Sequence, residues 1–184
     1  MKKYRITKAI CYHEAGHAIL AWRKGRVYEA SVIPDSNSLG HVKLSFVGGI
    51  DPEDIRICVA GCYAQAMWAK TSVGMWVLGG GQEDYDRAVR FANTIALFTN
   101  QHITEYQVTG SGILDQAEKD ARSWLKSLWP AVEAVSNALY TQHTLSGEQV
   151  DKLIKGALKG KLSESQTMLV ELKRARKRAL LINK

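Results

Sequence analysis

Residues 11 to 20 read Cys-Tyr-His-Glu-Ala-Gly-His-Ala-Ile-Leu, and the pair His13 and His17 within them limits the fold more than any other feature of the chain. Positions four apart on an α-helix share one face about one turn from each other, so both imidazoles can face a single ion. Glu14 stands about 100° round the axis from His13, close enough to reach a water on that ion without being a ligand. A His-Glu-x-x-His run (HEXXH) therefore asks for a helix here and for a second element that completes a metal site. Gly16 adds to this, because glycine inside a helix costs about 1 kcal/mol relative to alanine and marks a place where another element packs close. The alternative is an amphipathic helix whose histidines are ordinary core or surface residues.

A catalytic zinc takes three protein ligands and leaves one position open for water. Glu83, Asp84, Asp86, His41, His102 and His143 have side chains of the right type for the third ligand. The acidic trio also suits the positive end of a helix macrodipole, so residue type alone does not choose among the six.

Local signals place these residues on elements. The first helix is predicted from Thr7, an N-cap residue, to Lys24, with Gly25 closing it in a left-handed cap. Residues 26 to 34 read as a strand stopped by Pro34, and residues 41 to 47 alternate apolar and polar, so the two suggest a hairpin. Asp51 as N-cap and Pro52 at the first helical position start a second helix that reaches about Lys70. The glycine-rich residues 74 to 81 break it off. Further helices are predicted near 82 to 98, 112 to 128, 130 to 141, 146 to 156 and 163 to 182.

Successive segments of the chain resemble the motifs of the FtsH-type zinc peptidase domain: HEAGHAILAW, SVIPDSNSLGHVKL, AGCYAQAMW, GGGQEDYDRAVRFAN and LSGEQV, in that family's order and approximate spacing. The resemblance covers about residues 8 to 155. It implies a mainly α (α+β) fold, a helical zinc-metallopeptidase domain with a small β-hairpin beside the active-site helix. Aligning the family's D..RA pattern on Asp84, Arg87 and Ala88 selects Asp84 as the third ligand beside His13 and His17. The family usually has a glutamate where this chain has Gln65. The ATPase module and membrane helices that accompany the domain in the family are not in this sequence.

The activity expected from these residues is a zinc-dependent metalloendopeptidase in which Glu14 acts as general base on a metal-activated water. Substrates would be unstructured polypeptides or segments delivered by a separate unfoldase partner. His41, Val42, Lys43 and Leu44, on the second strand, would align an extended substrate by strand addition. No covalent intermediate is required.

Charge raises a second reading. Residues 1 to 150 carry fifteen Lys/Arg and fifteen Asp/Glu, so the net charge of +7 resides wholly in residues 151 to 184. A division follows, with a peptidase-like domain over 1–155 and a basic helical extension over 156–184. That extension can bind phosphates, which supports an interaction or nucleic-acid-binding module as the alternative function, although such runs are usually a solvated helix face. The glycines at 79 to 81 are not a phosphate loop, since acidic residues follow them and no Lys-Ser/Thr does. Cys11, Cys58 and Cys62 do not make a disulfide framework and suit a reducing compartment. Charges interrupt every apolar run, and the basic N-terminus lacks a signal-peptide core, so a cytoplasmic protein with no membrane span is expected.

Overall fold

A computed structural model of the chain describes residues 6–25, 27–34, 38–44, 49–102 and 108–159. The proposed helix at 163 to 182, and with it nearly all of the basic extension, lies outside the described residues, as does the end of the second strand.

Helix α1 (Lys8–Arg23) is the central element. Thr7 caps it, its hydroxyl accepting from Ile10 N at 3.3 Å. Ala15, Ala18, Ile19 and Leu20 bury on its packed faces. Gly25, at φ 71°, takes the left-handed position beyond its end, where glycine has no Cβ to clash. Helix α2 (Pro52–Ala69) begins at Asp51 in a reciprocal capping box with Asp54. Lys24 reaches both carboxylates, at 2.7 and 2.8 Å, and so ties the end of α1 to the start of α2. The two helices cross closely because Gly16 presents no side chain; a Cβ there would stand 2.5 Å from Ala60 O. A short helix α3 (Val73–Trp76) runs into a π-type turn (Val77–Gly81), and α4 (Gln82–His102) follows. Helices α5 (Gly110–Ser127), α6 (Trp129–Gln142) and α7 (Gly147–Ala157) complete the shell. The Trp22 indole donates to Asp151 Oδ1 at 2.7 Å, joining α1 to α7.

The expected hairpin is part of a larger unit. Strands β1 (Val27–Ser31) and β2 (His41–Leu44) pair antiparallel, and β3 (Thr144–Ser146) joins the far side of β1, giving the order β2-β1-β3. Three residues between two helices carry too little alternation to read as a strand, and β3 exists because β1 offers it a ladder. Ala30 pairs with Val42 on one side and Leu145 on the other, and both Ala30 and Leu145 are fully buried. Among the described residues, strand β2 pairs only with β1 and is the sheet's outer strand on the cleft side. The fold is therefore mainly helical with a small antiparallel sheet. No helix among the described residues is long and apolar enough to cross a membrane.

Candidate metal centre

One turn of α1 and the first turn of α4 meet at the floor of a cleft of about 950 Å³. His13 Nε2 and His17 Nε2 lie 2.9 Å apart, and Asp84 Oδ2 stands 3.1 Å from the first and 3.2 Å from the second. Among the described residues these three form the group whose donor atoms converge closely enough to share an ion. The glycine-rich break makes the approach of Asp84 feasible. Gly80 adopts φ 146°, which a residue with a Cβ rarely does, and the kink there separates α4 from α3.

The fit to a metal rests on where the protons are. His13 Nδ1 faces Gln65 Oε1 at 2.9 Å, and Gln65 Nε2 donates to Ala9 O at 3.1 Å, which orients the amide with its oxygen toward His13. His17 Nδ1 donates to Ile57 O at 2.7 Å. A neutral imidazole that donates from Nδ1 carries its lone pair on Nε2. Two nitrogen lone pairs and a carboxylate oxygen thus point at one another within 3.2 Å, a repulsive set unless a cation or a proton sits among them. Ligand atoms on a tetrahedral zinc lie about 3.3 Å apart for bonds of about 2.0 to 2.1 Å, close to the separations seen.

Helix α2 supplies the back wall through positions 57, 61 and 65, successive turns of one face. The carbonyl of Ile57 orients His17, and Gln65 orients His13. Between them Gly61 leaves the space the rings occupy: a Cβ there would fall 2.5 Å from His17 Nε2 and 2.6 Å from His13 Nε2.

Glu14 is 5% exposed. Burial pushes its carboxyl up to about 7, partly offset by His13 and reinforced by Asp84. Gly40, just before β2, packs directly on it, since a Cβ at 40 would lie 2.6 Å from Glu14 Oε1. For His17, burial disfavours the charged form, but Asp84 outweighs it and the net shift is upward. Burial would raise Asp84, but His17 and His13 together hold it well below the usual carboxylate range.

The other candidates fall elsewhere. Glu83 is 75% exposed at its side chain, with Arg87 at 4.0 Å. Asp86 accepts from Gln82 at 2.8 Å. His41 lines the cleft, but its ring meets Glu29 on β1 at 3.3 Å. His143 ends α6 at φ 66°, outside the converging group. The side chain of His102 is outside the described residues. Val42 and Leu44 line the cleft, whereas the exposed Lys43 pairs with Glu29 at 2.6 Å. Cys11, Cys58 and Cys62 are free and buried, and burial pushes their thiols up to about 11, 12 and 12, so they stay protonated. Sequence reasoning missed the roles of Gly61 and Gly40 and noted Gln65 only as a departure from the glutamate usual in the family. The four-residue spacing of 57, 61 and 65 has no meaning until α2 is seen against α1.

Two outcomes follow from this geometry. Asp84→Ala lowers zinc affinity by well over the roughly 10-fold that a weak outer contact contributes, whereas Glu83→Ala and Asp86→Ala leave it unchanged. Chelator-competition titrations of the three variants check this, and a selective loss at Glu83 or Asp86 would move the ligand. Zinc must also displace the proton that the raised pKa of His17 retains in the metal-free protein. Calorimetry in buffers of different ionisation enthalpy should record proton release on zinc binding that diminishes as pH rises through the His17 pKa.

Comparison with protein-family models and with curated proteins returns no match for this chain.

Proposed function

We propose that the chain is a zinc-dependent metalloendopeptidase. The observation that carries this reading is the convergence of His13 Nε2, His17 Nε2 and Asp84 Oδ2, with the buried Glu14 carboxyl next to His13 on the same helix. His13, His17 and Asp84 would hold the ion. When bound, zinc supplies Lewis acidity, bringing the pKa of a water toward about 7 and polarising a carbonyl.

The chain's own residues do the rest. Glu14 accepts the proton of the attacking water and returns it to the leaving amine, acting first as base and then as acid. Its burial favours this exchange, because a carboxyl whose pKa lies near 7 both takes and gives a proton readily at neutral pH. The two histidines keep fixed positions through Ile57 O and Gln65, so little reorganisation is needed during reaction.

Substrate alignment falls to β2. Val42 and Leu44 line the cleft on a strand paired on one side only, so an extended polypeptide can add to its outer edge, with main-chain hydrogen bonds supplying affinity. That mode accepts unstructured segments or chains that a partner unfoldase delivers, and it fits the resemblance of the motifs to the FtsH-type domain. Among the described residues no observation favours the nucleic-acid-binding alternative, whose basic segment lies outside them. The test is zinc content together with cleavage of an unstructured protein by the purified chain. About one zinc per chain and chelator-sensitive cleavage are expected; a zinc-loaded protein that leaves the substrate intact would refute the activity while keeping the metal site.

A further inference from the structure

We infer that Arg87 is a specificity residue that binds a carboxylate of the substrate, an acidic side chain or a chain terminus, on the His17 side of the metal centre. The inference rests on the peptidase reading above and names a substrate class for it. Arg87 stands three residues after Asp84 on α4, and side chains three apart on a helix are neighbours on one face. The face that brings Asp84 to the histidines therefore brings Arg87 to the cleft, and Phe91 follows one turn further on. Among the described residues Arg87 is the one lysine or arginine that lines the cleft.

Other cations of the surrounding helices are firmly held. Lys24 lies 2.7 and 2.8 Å from Asp51 and Asp54, and Arg56 lies 2.6 Å from Asp120. For Arg87 the one carboxylate within 4.0 Å, among the described residues, is that of Glu83 at this outer limit, and Glu83 is itself 75% exposed. A pair so long and so exposed adds little and is readily exchanged for another carboxylate. The charge of Arg87 opposes protonation of His17 and favours ionisation of the Cys58 thiol, whereas Glu14 responds to burial, His13 and Asp84. The guanidinium therefore lies toward His17. Two acidic groups nearby do not compete for it: Asp84 turns Oδ2 to the histidines at 3.1 and 3.2 Å, and Asp54 is engaged by Lys24 and by the cap of α2. A guanidinium presents parallel N–H groups that match both oxygens of a carboxylate. Ile57, Cys58 and Phe91 line this part of the cleft, and apolar walls reduce screening of a charge pair formed between them. A glutamine in the substrate would gain only a weaker hydrogen bond, and a lysine would be repelled.

The experiment uses the full chain with zinc added. Short fluorescent peptides with blocked ends and a single glutamate, glutamine or lysine are titrated with Glu14→Gln, and anisotropy reads their binding without cleavage. A glutamine peptide with a free C-terminal carboxylate separates a chain end from a side chain as the source of the charge. A carboxylate peptide should bind about 10-fold more tightly than the blocked glutamine peptide. Rising salt should narrow the gap, since the Arg87 side chain is 43% exposed. Combined with Glu14→Gln, Arg87→Met should bring the ratio to about one, Arg87→Lys should keep part of it, and Arg87→Glu should favour the lysine peptide. In a chain that retains Glu14, the loss in Arg87→Met should fall on KM for the carboxylate peptide rather than on kcat. Equal affinity for the glutamate, free-terminus and glutamine peptides overturns the inference, as does a carboxylate preference that survives Arg87→Met. A fall in kcat on every peptide alike also overturns it, since Arg87 would then act on the transition state and not on the substrate's charge. If none of the peptides is cleaved, the peptidase reading fails, while the binding ratios still judge Arg87.

Discussion

Glu14→Gln leaves zinc bound and slows cleavage of an unstructured protein by about 10²- to 10⁴-fold. Glutamine matches the shape of the carboxyl, so Gly40 keeps its place against it and the adjacent ligand His13 keeps its own. What disappears is the capacity to accept a proton from water. At the upper end the loss corresponds to about 5 kcal/mol of transition-state stabilisation. Metal analysis and single-turnover cleavage on the same preparation separate the two quantities, and a variant that cleaves at the wild-type rate would remove Glu14 from the mechanism. Stability should change with the opposite sign. The folded pKa of about 7 lies above the ordinary glutamate value of 4.5, so the metal-free wild type loses stability as pH rises through that interval, when its buried carboxyl must ionise. The glutamine variant escapes this. Its melting temperature should match the wild type below about pH 4.5 and exceed it above about pH 7.

Gly61→Ala should abolish measurable zinc binding, an effect beyond the 10- to 100-fold that loss of an orienting hydrogen bond produces. A methyl group placed 2.5 to 2.6 Å from both Nε2 atoms lies far inside van der Waals contact, and the atoms it meets are the ligands themselves. The rings must rotate away from each other and from Asp84. Helix α2 can recede only by giving up the close packing of the adjacent Ala60 against Gly16 of α1. Overpacking of this kind costs about 1 to 3 kcal/mol of stability, so the variant should still fold. Chelator competition together with thermal unfolding of the metal-free protein distinguishes a lost site from a lost fold. Wild-type zinc affinity in Gly61→Ala would show that the two rings sit elsewhere than at the α2 wall.

Much of the helical layout was legible in the chain because its signals are local. Thr7 and Asp51 cap α1 and α2 as expected, Pro52 opens α2, and Gly25 closes α1, since each acts on backbone groups within a few residues. The third strand was not legible, because Thr144 to Ser146 becomes a strand only through its pairing with β1. Residues 74 to 81 were read as a break, and the structure fills them with a short helix and a π-type turn around Gly80. A break and a tight helical turn share the same glycines. Helix α4 extends to His102, past the expected end, since no capping residue stops the run at 98.

For the site, the sequence by itself determined the chemical types and one helix face: His13, Glu14 and His17 share a turn because of helical periodicity, which needs no other element. Which acidic residue joins them was left open by spacing and narrowed to Asp84 by resemblance. Only the tertiary structure brings Asp84 Oδ2 within 3.2 Å of both rings while sending Glu83 to solvent and Asp86 to Gln82. The reason is directional, because residues one or two apart on α4 point about 100° or 200° from each other, so the tilt set by the kink at Gly80 decides which of them meets α1. The protonation pattern of the ligands is likewise tertiary. It depends on Ile57 O, Gln65 and Ala9 O, whose nearness to the histidines follows from how closely α2 crosses α1, and no local signal in any of those residues carries it.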